Sequence, residues 1–67
     1  MERRFETQLK QLKGRILAMG GFVEQALERA VKALNDRDAA LLDEVHAIER
    51  KINEAHIEID ALCMDLL

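Results

Sequence analysis

The chain has no proline, tryptophan or tyrosine, and it has one cysteine and two phenylalanines among 67 residues. It also has no serine, which excludes serine nucleophiles. The single cysteine, Cys63, excludes an internal disulfide framework and a four-cysteine zinc site. His56 lies two helical turns from Cys63, too far to activate the thiol directly, and no glycine-rich phosphate loop follows a strand. We therefore expect no enzyme.

Long apolar runs are also missing. No stretch approaches the roughly 18 apolar residues of a membrane span, and the mixed charges at the start of the chain do not form a signal peptide. The net charge of −3 argues against nucleic acid as the main partner. These absences predict a cytoplasmic protein that neither inserts into membranes nor binds nucleic acid.

The charge is divided unevenly along the chain. Residues 1–35 hold seven bases and four acids, whereas residues 36–67 hold three bases and nine acids. A basic half followed by an acidic half favours the two lying side by side. The alternative is that both halves simply have solvated faces.

The apolar residues of the first half predict a long amphipathic helix, over about residues 3–34. They recur in alternating steps of four and three residues, which is the heptad pattern of packed helices. A second apolar row widens the stripe, which indicates a bundle rather than a two-stranded coil. The predicted seam comprises Phe5, Leu9, Leu12, Ile16, Met19, Val23, Ala26, Ala30 and Ala33, and the second row comprises Leu27, Val31 and Leu34.

Three glycines interrupt this helical pattern. The heptad phase continues unshifted past Gly20 and Gly21, which predicts one continuous helix whose glycines permit close approach by a neighbouring helix. The alternative is a break or kink at Gly20-Gly21, because each glycine costs about 1 kcal/mol in a helix interior.

A short polar turn, at about residues 35–38, separates this helix from a second one. Asn35 is predicted to take the left-handed conformation that ends a helix, and Asp38 to cap the next helix. A turn this short makes the helices antiparallel neighbours.

The second predicted helix spans about residues 39–66, again with apolar steps of four and three. No cap follows Leu66, which is typical of a chain cut from a longer polypeptide or of a frayed helix end. The seam comprises Leu41, Val45, Ile48, Ile52, Ala55, Ile59, Leu62 and Leu66.

A polar row lies beside the second seam, with the same spacing. Carboxylates in such a row attract divalent cations, and imidazoles add affinity for iron or zinc. One helix cannot close a metal shell, so other helices must supply further ligands, and an interface rim explains the row equally well. The row comprises Leu42, His46, Glu49, Asn53, His56, Asp60 and Cys63.

Segments of both halves resemble the PhoU family. The first half resembles the family's first helix at Arg4–Glu6, at 19–27 (MGGFVEQAL) and at 30–38 (AVKALNDRD). The second half resembles its second helix at 49–53 (ERKIN) and 57–60 (IEID). The resemblance implies an all-α fold, in which residues 1–67 form an antiparallel two-helix hairpin, one partial domain of a three-helix bundle.

The resemblance also implies a function. PhoU proteins are cytoplasmic regulators that link the phosphate ABC transporter to a sensor histidine kinase, holding that kinase in its inhibitory mode when phosphate is plentiful. Some members bind iron, zinc or other metals through acid-x-x-x-Asp motifs. Here the motif falls on Glu49 and Asn53, with His46, His56 and Asp60 as secondary candidates, and the family's third-helix motif is missing.

Self-association is the remaining expectation. Two helices cover only one side of each other, so surplus apolar residues favour an antiparallel hairpin dimer, a four-helix bundle. The basic first helix of one copy would then lie against the acidic second helix of another.

The alternative to the regulatory function is a free-standing helical-hairpin interaction module, and a metalloenzyme is disfavoured because Glu-x-x-His is absent.

Overall fold

The computed structural model describes residues 2–67, which form two α-helices and contain no strand. Helix α1 spans Glu2–Asp36 (35 residues) and helix α2 spans Ala39–Leu66 (28 residues). Contacts between the early part of α1 and the late part of α2 show that the helices run antiparallel. The all-α helical hairpin predicted from the sequence is confirmed.

Helix α1 is uninterrupted through its glycines, so the alternative of a break at Gly20-Gly21 is wrong. A Cβ atom added at Gly14, Gly20 or Gly21 would meet nothing within 4 Å. Helix α2 is therefore not the closely approaching neighbour that we expected these glycines to serve.

The turn differs from the prediction at one position. Helix α1 continues through Asn35, and Arg37 takes the left-handed conformation instead, with φ of 52°. The backbone N–H of Asp38 donates to the carbonyl of Ala33 at 3.0 Å, which closes the helix end in the pattern of a Schellman motif. The prediction for Asn35 is wrong because the helix continues one residue past it before this closing bond forms.

Asp38 caps the second helix, as predicted. Its backbone is extended, and its side chain accepts a hydrogen bond from the backbone N–H of Ala40 at 3.0 Å. Its charge also suits the positive end of the α2 dipole. Asp38 therefore takes part both in the bond that closes α1 and in the cap that begins α2. The link between the helices consists of Arg37 and Asp38.

Helix α2 places its whole predicted seam in the contact with α1. Val45, Ile48 and Ala55 are buried, as is Ala33 of α1, and these four form the core. The other members of the α2 seam are half-buried: Leu41, Ile52, Ile59, Leu62 and Leu66. The periodicity of the second half thus predicted its buried face correctly.

Helix α1 buries only part of its predicted seam. Ala33 is buried, and five further members are half-buried: Leu9, Leu12, Met19, Ala26 and Ala30. Phe5, Ile16 and Val23 of the predicted seam are 50%, 47% and 47% exposed. Phe22 and Arg29 are instead half-buried beside α2. The apolar stripe of α1 is wider than one helix can cover, and α2 covers only one of its edges.

Three polar contacts fix the register of the hairpin. Arg15 Nε lies 2.9 Å from Glu58 Oε2, and Arg29 Nε lies 3.2 Å from Glu44 Oε2. Between these ion pairs, Lys51 Nζ lies 5.7 Å from the centroid of the Phe22 ring. The three α1 residues are seven positions apart, as are their three partners on α2, so all three contacts belong to one heptad register.

The hairpin is a rod of 53 × 14 × 12 Å with a radius of gyration of 15.6 Å. A compact domain of this length would have a radius of gyration of about 11 Å. One layer of two helices leaves no enclosed interior, which is why only four side chains among residues 2–67 are buried.

Ile48 should contribute most to the stability of the hairpin. Because it is 7% exposed, Ile48→Ala should lower the free energy of unfolding by about 2–4 kcal/mol through lost burial and a residual cavity. The matched control is Ile57→Ala on the same helix, which is 67% exposed and should cost far less. Urea unfolding followed by circular dichroism at one chain concentration checks both, and equal losses would contradict this core.

Arg37→Gly should stabilise the hairpin by about 1 kcal/mol, since glycine adopts positive φ without the steric cost of a side chain. Asn35→Gly, two residues earlier and inside α1, should instead destabilise it by several tenths of a kcal/mol. Thermal unfolding of the two variants should therefore shift in opposite directions. Shifts of the same sign would contradict the observed helix end.

Candidate functional site

The α2 polar row is the surface that carries the metal-ligand candidates. His46, Glu49, Asn53, His56 and Asp60 are all exposed, and Cys63 at its end is half-buried. The row lies beside the buried seam because both follow the same heptad spacing on one continuous helix. Its side chains therefore face outward, accessible to a ligand or to another chain.

Two histidine–carboxylate pairs form within this row. His46 Nδ1 lies 3.4 Å from Glu49 Oε2, and His56 Nδ1 lies 3.6 Å from Asp60 Oδ2. The first pair is three residues apart and the second four, so each spans one helical turn. Each pair offers a nitrogen and oxygen donor set of the kind that borderline divalent metals accept.

Glu49 and Asn53 were expected to aim at one point. In the structure the Glu49 carboxylate turns toward His46 instead, and within residues 2–67 the Asn53 side chain makes no hydrogen bond. The predicted ligands thus divide into two pairs, with Asn53 between them.

The donor set falls short of a complete metal site. Among residues 2–67, no group of three or more His, Cys, Asp or Glu side chains is placed to hold a metal ion. Structural zinc takes four ligands and calcium six to eight, so either pair needs donors from elsewhere. A hairpin alone therefore presents half-sites.

The edge where the two helices meet carries the charge complementarity predicted for the two halves. In both interhelical ion pairs the base lies on α1 and the acid on α2. All four side chains are at least one-third exposed, so each pair contributes at most about 1 kcal/mol. Their main effect is to favour one register over alternatives.

The sequence predicted surplus apolar surface on α1, but it placed only part of that surface correctly. Because the seam was predicted to be buried as a unit, Ile16 and Val23 were assigned to the core, yet they are exposed together with Leu27 and Leu34. The second apolar row starting at Leu27 signalled a stripe too wide for one partner. That exposed apolar surface is the main feature of residues 2–67 that no other part of the hairpin covers.

Within residues 2–67, neither α1 nor α2 combines the length and the apolar character needed to cross a bilayer.

These features define an all-α chain of the bundle-forming class. The family model of the PhoU domain matches residues 16–67, which is more than half of the sequence. The chain belongs to the PhoU family.

Named relatives agree with this assignment. The chain is 36% identical over all 67 residues to the phosphate-specific transport system accessory protein PhoU homolog of Pseudomonas aeruginosa. It is 33% identical over 67 residues to the homolog of Pseudomonas putida, and 29% identical over 63 residues to the PhoU protein of Escherichia coli. These names connect the family to phosphate transport in an accessory capacity.

The match covers only part of the relatives. The chain spans 28% of the Pseudomonas aeruginosa protein and 26% of the other two. No solved structure gives a significant match to the chain.

We propose that any divalent ion held by the α2 polar row bridges two chains, with Glu49 as its principal ligand. Zinc bound after dialysis should be lost in Glu49→Ala and kept in Glu54→Ala, an exposed acid on another face of α2. Elemental analysis at matched protein concentration measures both. Equal zinc in wild type and Glu49→Ala would rule out this site.

Proposed function

We propose that this chain supplies helices to a regulator of phosphate uptake and phosphate-starvation signalling. The observation that carries the proposal is the match of all 67 residues to part of two proteins named as accessories of phosphate-specific transport. In this function the protein is a non-enzymatic, cytoplasmic adaptor between the phosphate ABC transporter and a sensor histidine kinase.

The surfaces of the hairpin support an adaptor rather than a catalyst. Its exposed apolar residues on α1 and its charged row on α2 lie on the outside, where they are available to other protein surfaces. Exposed apolar surface flanked by polar residues is typical of protein–protein contact sites. Negative regulation through binding needs such surfaces and needs no reacting group.

A second candidate function is a free-standing hairpin that completes bundles. The specific observation in its favour is the apolar surface of α1, which the hairpin leaves uncovered. Under either function we propose that the chain self-associates as a homo-oligomer, since a second copy would cover that surface.

Deleting the gene that encodes this chain should derepress alkaline phosphatase and the phosphate transporter in phosphate-rich medium. Reintroducing the wild-type gene should restore repression, while the empty plasmid should not. Deleting the sensor kinase as well should abolish the derepression, because the adaptor acts through that kinase. Full repression in the single deletion would overturn the regulatory function.

A further inference from the structure

Helix α2 carries its own exposed apolar surface, on the side opposite its seam. Ile57 and Met64 are 67% and 73% exposed, and Ala61 between them is exposed as well. At 3.6 residues per turn these three side chains lie within about 60° of one another and, on average, about 180° from the seam. We call them the α2 outer patch. Arg50, one heptad before Ile57, ends the patch on that face.

The arrangement of the patch differs from ordinary scattered exposure. Single apolar residues are normal on a protein surface. Ile57, Ala61 and Met64 instead follow steps of four and three residues, so they are neighbours along one face of the helix. They therefore form a short continuous stripe of the kind that packs against another helix.

The patch is separate from the side on which a third helix would complete the bundle. Leu34 of the uncovered α1 surface and Leu42 of α2 line one shallow groove on that side. On α2 the groove side continues into the polar row, whose half-buried member Cys63 lies about 120° around the helix from Ile57. A helix that covers the α1 surface and the near edge of α2 therefore leaves the α2 outer patch exposed.

The surroundings of the patch are acidic. Residues 52–67 contain four acids and no lysine or arginine. These acids lie on both flanks of the patch, with Asp60 on one side and Glu54 and Asp65 on the other. In the part of the chain that the structure describes, Glu58 and Asp60 each lie close to a basic side chain, whereas Glu54 and Asp65 have no ion-pair partner.

We propose that the α2 outer patch docks a basic amphipathic helix of a partner protein. The apolar steps of the patch match the spacing at which one helix contacts another. Lysine or arginine beside the partner's own apolar stripe then meets the acids on both flanks. This inference rests on the adaptor function proposed above and deepens it by naming the surface and the chemistry of one partner.

The acidic flanks disfavour other occupants. An anionic lipid surface and a nucleic acid both carry negative charge, so residues 52–67 would repel them. An uncharged apolar helix would desolvate Glu54 and Asp65 without supplying a partner for either carboxylate. A basic helix satisfies the apolar centre and the charged flanks together.

Thiol labelling of the complete gene product tests whether the patch is uncovered. In a Cys63→Ala background, Ile57→Cys should react with iodoacetamide under native conditions at nearly its rate in concentrated urea. The matched control is Ala55→Cys, which is 7% exposed and should be protected. Both are read by mass spectrometry on the tryptic peptide that begins at Ile52, since trypsin cleaves after Lys51. Protection of both positions would show that another part of the protein covers the patch and would overturn the proposal.

Fluorescence anisotropy measures the docking itself. The probe is a fluorescein-labelled synthetic amphipathic helix of leucine, alanine and lysine, and its counterpart carries glutamate in place of every lysine. The complete gene product should bind the lysine peptide and not the glutamate peptide. Ile57→Gln/Met64→Gln should weaken that binding roughly tenfold. Leu17→Gln, at a residue 77% exposed on α1, is the apolar control and should leave it unchanged.

Charge reversal tests the flanks of the patch. Asp65→Lys should weaken binding of the lysine peptide several-fold, because it places a base beside the partner's bases. Asp43→Lys changes the net charge equally but lies near the start of α2, so it should have little effect. Circular dichroism checks that each variant keeps its helices.

The outcomes separate this surface from the adaptor function. Failure to bind the lysine peptide, equal binding of both peptides, or equal losses in the patch variants and their controls would overturn the docking surface alone. The regulatory function fails on a different result, namely full repression in the gene deletion described above.

Discussion

The structure depends on a limit of helix packing: one helix can cover only a narrow band of another. Helix α2 comes closer to this limit, since every residue of its predicted seam is buried or half-buried, although Leu42, Ile57 and Met64 outside the seam are exposed. Helix α1 exceeds it, and its apolar surface continues around the helix past the contact. At about 25 cal/mol per Å², even a few hundred Å² of uncovered apolar surface corresponds to several kcal/mol. That is comparable to the whole stability of a small domain, so the fold favours a further partner.

The parts of the fold that local chemistry decides were predictable from the sequence. Helix content, the seam of α2 and the cap at Asp38 each follow from residues close together in the chain, and each was predicted correctly. The end of α1 was not, because arginine has no preference for the left-handed conformation that Arg37 adopts. There the closing bond from Asp38 to Ala33 outweighs the local preference of the residue.

The orientation of α1 could not be predicted because its stripe offers two edges of similar apolar character. The choice between them was made by Phe22, Arg15 and Arg29, whose partners lie on α2 and are distant in sequence. For the α2 polar row, spacing alone placed the residues on one surface but did not show which would pair. Glu49 has His46 one turn before it and Asn53 one turn after it, and its carboxylate lies 3.4 Å from His46 Nδ1.

The two faces of the hairpin are suited to different tasks. The edge with the ion pairs favours one register between the helices, and the apolar residues of α1 that α2 does not cover are exposed. The α2 polar row adds two exposed donor pairs, so a second chain would bring both apolar surface and additional ligands. A family with an accessory function in transport can use such a unit as a rigid element of a larger assembly.

The two-residue link between the helices has an evolutionary consequence. Because Asp38 both closes α1 and caps α2, an inserted residue could not be absorbed locally. If the extra residue were taken up as helix at the start of α2, the rest of α2 would turn by about 100° relative to α1, and Glu58 and Glu44 would separate from their arginines at the same time. Most surface loops vary freely in length among descendants of a common ancestor. This one should not, and a change in its length should persist only when a compensating deletion follows within α2.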